Sequence, residues 1–179
     1  TNEDVRELLD FALAKNIRVI PYGGGTSVVG HLTPPEGKQP VLSIDLSRLN
    51  KVLSVNSESL IARVQAGTTG EELEQQLTER GYVLGHFPQS WEYSTVGGWV
   101  ITRSSGQQSL RYGRIENMFA GGTVETPTGQ LDIPAIPATG AGTDVREMVL
   151  GSEGRIGILT DCLMRVNELP EHESFHGVF

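Results

Sequence analysis

The sequence predicts an α+β fold. Helical and strand periodicities are mixed without strict alternation, and two polar turns after residue 50 mark antiparallel strand pairs. Glycine supplies 22 of the 179 residues, against about 7% in ordinary chains, and is clustered. The first 50 residues have strand–helix character. The remainder reads as mainly antiparallel with interspersed helices, unlike a doubly wound sheet. A composition of 37% hydrophobic and 20% charged residues describes a packed chain. This length suits one compact domain, large enough to bury a core without staples. The lone Cys162 excludes an internal disulfide and a structural zinc cluster. No apolar run reaches the roughly 18 residues of a membrane span, and no basic, apolar leader is visible. The formal charge of −8 disfavours non-specific nucleic-acid binding. These features lead us to expect a cytoplasmic protein with no nucleic-acid partner, no transmembrane segment and no metal.

An N-terminal helix is expected from Val5, Leu8, Leu9, Ala12 and Leu13, which form one apolar stripe. Thr1 or Asn2 caps it, and Lys15 suits the negative end of its dipole. Ile17 to Ile20 reads as a buried strand stopped by Pro21. Three prolines between residues 30 and 40 mark a surface loop. Val41, Ile44 and Leu46 mark the next strand, with Asp45 at its end. Lys51 to Val55 and Leu60 to Ala66 form a strand pair around the turn Asn56-Ser57-Glu58-Ser59. Thr69 and Glu72 have capping-box spacing before a helix carrying Leu73 and Leu77, and Gly81 follows its end. Residues 85–117 are rich in Gly, Ser, Arg and aromatics, with little periodicity. Thr126-Pro127-Thr128-Gly129 reads as a hairpin turn between strands near 119–126 and 130–133. Thr143 is expected to cap a short helix ended by Gly151. Ile156 to Val166 alternates as a strand, with Ile156, Ile158, Cys162, Met164 and Val166 on one side. Phe175 to Phe179 reads as the start of a further apolar strand.

The glycines point to function. Pro21-Tyr22-Gly23-Gly24-Gly25-Thr26-Ser27 follows a predicted strand. Bare glycines admit close backbone approach, successive N–H groups form a concave anion site, and Thr26 and Ser27 add hydroxyls. A phosphate or pyrophosphate cradle and a tight packing turn are both open readings. No Lys-Ser or Lys-Thr follows the glycines, which excludes a P-loop, and no Gly-x-Gly-x-x-Gly opens a helix, which weighs against a Rossmann site. A second cluster runs from Gln89 through Ser90, Trp91, Glu92, Tyr93, Ser94, Thr95, Val96, Gly97 and Gly98 to Trp99. Ser94 or Thr95 caps a helix there, whose free N–H groups would face an anion. Thr102, Arg103, Ser104, Ser105 and Gly106 follow. A third cluster is Gly151-Ser152-Glu153-Gly154-Arg155-Ile156-Gly157-Ile158-Leu159, at the mouth of a strand.

These clusters, with Tyr112-Gly113-x-Ile115-Glu116, resemble in their order the FAD-binding (PCMH-type) domain of the vanillyl-alcohol-oxidase flavoproteins. Within that superfamily the chain resembles the alkyldihydroxyacetonephosphate (alkylglycerone-phosphate) synthase family, over about residues 3–170. The resemblance implies two subdomains, about 1–50 and 51–170, with residues 171–179 beginning a cap that lies beyond the chain. It implies FAD, held non-covalently, since residues 21–27 contain no His or Cys and His31 lies outside the motif. Residues 21–27 would wrap the pyrophosphate. Residues 89–95 and 102–105 would contact the flavin end and diphosphate, and residues 153–159 the adenosine or ribityl portion. Catalytic residues are expected outside this chain. The implied activity is exchange of an acyl chain for a fatty alcohol on dihydroxyacetone phosphate, toward ether lipids. An FAD-linked oxidase or dehydrogenase of a 2-hydroxy acid such as D-lactate or glycolate is the alternative enzyme, and a non-catalytic nucleotide-binding fragment a third reading. A lipid-like or small-molecule substrate would enter through the cap. A homodimer and, for a eukaryotic synthase, a peroxisomal location also follow from the resemblance.

Several side chains carry two readings at this point. Arg103 either pairs with a phosphate or makes a salt bridge, and Glu153 either holds a sugar hydroxyl or caps a turn. His86 either faces the flavin or lies in a surface loop. Trp91, Tyr93 and Trp99 either stack on the ring or pack. His31, His172 and His176 read as surface residues, and Cys162 as core.

Overall fold

The structure, a computed structural model, describes residues 1–137, 140–174 and 176–178. Helix α1 (Asn2–Ala14) opens with the capping box of Thr1 and Asp4, in which the Asp4 N–H donates to Thr1 Oγ1 and the N-terminal amine reaches Asp4 Oδ2 at 2.6 Å. Val5, Leu9 and Ala12 are buried, whereas Leu8 and Leu13 lie at the edges of the stripe and stay partly exposed. Strands β1 (Arg18–Tyr22) and β2 (Val41–Asp45) form a parallel pair with Arg18 opposite Val41 and Pro21 opposite Ile44. Pro21 therefore lies inside the strand that it was expected to stop. The Arg18 N–H donates to Pro40 and the Tyr22 carbonyl accepts from Leu46, so alternate residues 18, 20 and 22 face β2. Pro21 is out of phase with them, and its missing N–H falls on the free edge.

The chain continues through β3 (Val52–Asn56), β4 (Ile61–Gln65), α2 (Gly70–Thr78), β5 (Tyr82–Val83), α3 (Val96–Thr102), α4 (Ser109–Tyr112), α5 (Ile115–Met118), β6 (Phe119–Thr126) and β7 (Gly129–Ile133). It ends through α6 (Val145–Val149), β8 (Ile158–Arg165) and β9 (Asn167–Glu168). Five strands form one antiparallel sheet, in the order β3-β4-β8-β6-β7; β5 pairs with β9. The α+β expectation holds. Asp144, one residue beyond the expected Thr143, caps α6, because its carboxylate accepts the Arg146 N–H. The apolar ending expected at 175–179 includes Phe175 and Phe179, which lie outside the described residues.

Strand β8 is the middle strand, so it is covered on both faces and its residues are buried continuously rather than on one side. Its register against β6 shifts between Asp161 and Leu159, leaving Thr160 as an extra residue. Cys162, Met164 and Leu159 face a core built with Leu73 and Leu77 of α2, Trp99 and Val100 of α3, and Phe119. Asp161 points to the opposite face, where α1 covers it. Ile158 joins a smaller cluster with Val5, Leu9, Ile44, Leu46 and Leu49, tying the β1–β2 unit to the large sheet. No helix among the described residues is long and apolar enough to cross a membrane.

Candidate functional site

The loop leaving β1 is pressed against the segment that leads into α3. A Cβ on Gly24 would overlap the carbonyl oxygen of Tyr93, and one on Gly23 would come within 2.5 Å of Thr95 Oγ1. Glycine is thus required by backbone packing, and Gly25 adds a positive φ of 67°. Among the described residues, no group accepts the N–H of Gly23, Gly24, Gly25, Thr26 or Ser27. Five consecutive main-chain donors are left without a protein acceptor beside a cavity of about 280 Å³.

The start of α3 behaves differently from expectation. Thr95 is its cap, accepting the Gly98 N–H at 3.3 Å. Val96 and Gly97, however, donate to the carbonyls of Thr68 and Ala66 at 2.9 and 2.8 Å. The free N–H groups expected to face an anion are consumed by the turn before α2. Gly97 is required by that contact, since its Cβ would sit 2.7 Å from the Ala66 Cβ. The other end of α3 positions the third cluster: the Val100 and Ile101 carbonyls accept from Gly151 and Glu153 at 3.2 and 2.8 Å. Docked there, Glu153 adopts φ 55°, uncommon for a residue with a side chain, and faces the cavity.

All three glycine clusters meet at this cavity. Pro21, Gly23, Gly24, Gly25, Thr26 and Ser27 line one wall, Ser90, Ser94, Thr95, Thr102 and Ser104 another, and Glu153 closes it. Gln89 and Ser105 lie in an adjoining groove shared with Thr26 and Ser90. Gly154 and Arg155 line a second adjoining groove, and Ile156, Gly157 and Ile158 an apolar cleft against α1 and β1. Other expected site residues fall outside. Tyr22 folds its ring over Gly25. Trp91, Glu92 and Tyr93 border a separate groove, where Trp91 packs on Phe87 and Tyr93 is largely exposed. Arg103 caps α3 and pairs with Glu147 of α6. Leu159 is buried in the sheet.

The cavity wall has a consistent hydrogen-bond polarity. The Trp99 indole N–H donates to Ser94 Oγ at 2.7 Å, which leaves the Ser94 hydroxyl hydrogen available to the cavity. His86 lies behind Ser104, fully buried, with its ring tilted on Trp99 and Nε2 at 2.6 Å from Ser104 Oγ. Burial pushes its pKa from 6.5 to about 4, so the imidazole is neutral at neutral pH. Nδ1 has no partner. A buried donor without an acceptor costs more than an unused lone pair on a ring nitrogen, so we assign the proton to Nε2. Ser104 then accepts from His86 and turns its own hydrogen outward. Neither reading of His86, facing the ligand or sitting in a surface loop, describes this second layer. His31 was read as a surface residue, yet it lines the cavity, with Nδ1 2.5 Å from Glu153 Oε2 and 3.2 Å from Ser27 Oγ. The contact spans 122 positions, so no local pattern signals it. Gly98, a member of the second glycine cluster, and Ile101 are also on the wall.

Comparison with known proteins places the chain among flavoprotein domains. The family described as "FAD binding domain" matches residues 1–132. Alkyldihydroxyacetonephosphate synthase of Dictyostelium discoideum is 42% identical over 177 residues, covering 99% of this chain and 29% of that protein. The mitochondrial D-lactate dehydrogenase [cytochrome] of Arabidopsis thaliana is 30% identical, covering 96% of this chain and 30% of that protein. A solved structure of alkyldihydroxyacetonephosphate synthase superposes with a TM-score of 0.92 at 42% identity, over 96% of this chain and 31% of the other. The chain therefore spans less than a third of the length of each of these relatives.

Proposed function

The chain belongs to the FAD binding domain family, and from that premise we propose that the cavity takes the diphosphate of FAD on the main-chain N–H groups of residues 23–27. The five donors without protein acceptors carry this reading, since a diphosphate supplies acceptor oxygens in the concave geometry such a loop favours. The hydroxyls of Ser94 and Ser104, each already accepting from a buried N–H, donate in the same direction. Thr26, Ser27, Ser90, Thr95 and Thr102 extend the polar wall, and Glu153 accepts from a sugar hydroxyl. Gly154, Arg155, Ile156, Gly157 and Ile158 border the nucleoside end, and Gln89 and Ser105 the opposite end. Binding is non-covalent. Bound FAD supplies the redox or group-transfer chemistry, and this chain binds the dinucleotide, orients it and excludes water from its diphosphate.

For the whole protein we propose an alkyldihydroxyacetonephosphate synthase type of activity, exchanging an acyl group for a fatty alcohol. The similarity to the Dictyostelium discoideum synthase supports it, and a D-lactate-type dehydrogenase is the competing reading that the Arabidopsis thaliana relative favours. Titrating the chain with FAD while following flavin fluorescence tests the binding step, with saturation at one FAD per chain expected. Flavin recovered in the supernatant after acid precipitation marks it as non-covalent. Assaying a protein that carries this domain with acyl-dihydroxyacetonephosphate plus fatty alcohol, and separately with D-lactate, decides the chemistry. Turnover of D-lactate alone contradicts the synthase reading.

A further inference from the structure

The cavity beside the glycine loop has two ionisable side chains in its lining, His31 and Glu153, and neither lysine nor arginine. A dinucleotide diphosphate stays a dianion throughout the neutral range. Main-chain N–H dipoles offset part of that charge, but the Glu153 carboxylate opposes it. The pair is held in place: Glu153 sits on a positive-φ backbone anchored to Ile101, and His31 Nδ1 meets both Glu153 Oε2 and Ser27 Oγ. A carboxylate on Nδ1 accepts the Nδ1 hydrogen and fixes the imidazole orientation, leaving Nε2 as the ring position that can gain a proton. Among the described residues, no hydrogen bond engages His31 Nε2. Arg155 is the other charged side chain sharing a groove with His31 and Glu153.

We propose that His31 is a proton-linked anion contact: a diphosphate ligand entering the cavity draws one proton from solvent onto the His31 imidazole. An N–H bond forms at Nε2, the bond broken is that of the hydronium ion or buffer acid in solvent that gives up the proton, and its conjugate base stays in solution. The resulting imidazolium offsets the Glu153 charge and faces the diphosphate. The inference rests on the diphosphate reading of the cavity, and it makes dinucleotide affinity depend on pH through one side chain.

Isothermal titration of the chain with FAD at pH 7, in two buffers of different ionisation heat, reads proton uptake directly. A positive uptake below one proton is expected, and ADP-ribose, which shares the diphosphate but lacks the flavin ring, should show the same. Affinity should fall between pH 6 and 8, by at most about tenfold per unit. His31→Gln keeps a hydrogen bond to Glu153 but cannot take the charge. It should still bind FAD, with no uptake and a flat pH profile, and with an unchanged melting point as the check on folding. Binding without uptake in the parent chain, or uptake retained in His31→Gln, overturns this inference and leaves the diphosphate reading intact. No FAD binding at any pH overturns both.

Discussion

At the scale of residues, the site is built from close approach rather than from charge. Gly24 has no room for a methyl group against Tyr93, so Gly24→Ala must move one of two backbones. We expect it to cost about 1–3 kcal/mol in urea unfolding and to abolish FAD binding in fluorescence titration. Gly98 gives a contrast. Only Thr95 Oγ1 lies near its Cβ position, and alanine favours a helix. Gly98→Ala should keep the melting point and still weaken FAD binding several-fold, because the methyl group projects at the cavity wall. The loop at 21–27 was legible as a point of close backbone approach, because three adjacent glycines after a strand leave room for another backbone, and Gly24 meets Tyr93 there. His31 was not legible, because its meaning comes from Glu153, which reaches it through the docking of residues 151–153 on the end of α3. Of the two readings of Arg103 the salt bridge is the one that forms, since its αL position at the end of α3 brings it to Glu147.

At the scale of elements, local grammar was readable wherever caps and turns are self-contained. The Thr69–Glu72 capping box of α2 and the hairpin turn between β6 and β7 form as their residues dictate. The α3 N-terminus was misread because its first N–H groups are satisfied by carbonyls of Ala66 and Thr68, about 30 residues upstream. Helix α2 brings a half-buried ionisable group: desolvation raises Glu74 from 4.5 to about 7, although the Gly85 N–H donates to it. Its ionised form is penalised in the fold, so Glu74 lowers stability progressively as pH rises from 4.5 to 7. His86, depressed from 6.5 to about 4, acts oppositely: its contribution is full above 6.5 and lost as pH falls through 4. The two slopes oppose each other between pH 4.5 and 6.5, giving a shallow profile. Glu74→Gln should unmask a stability that rises across that window and should gain on the order of 2 kcal/mol at pH 8, read from urea midpoints. A profile unchanged by Glu74→Gln contradicts this assignment.

At the scale of the whole molecule, a polar seam joins α1 to the large sheet. Asp161, buried in β8, accepts from Arg63 Nε at 2.8 Å and from Asn2, while Arg6 reaches Glu125 and the Thr126 carbonyl. Removing one partner of such a pair strands a buried charge, so Arg63→Met should destabilise the fold by about 3 kcal/mol at pH 7. The strand order β3-β4-β8-β6-β7 was not legible, because pairing β8 between β4 and β6 depends on partners about 40 to 100 residues away in the chain. That order and the seam set how the β1–β2 unit and its glycine loop face α3 and Glu153. Amide proton shifts of residues 23–27, followed by two-dimensional NMR during titration, test directly whether this frame presents main-chain donors to a diphosphate. We predict that these five resonances move downfield with FAD and with ADP-ribose and stay fixed with riboflavin. FAD binding that shifts other amides but leaves these five in place would contradict the account.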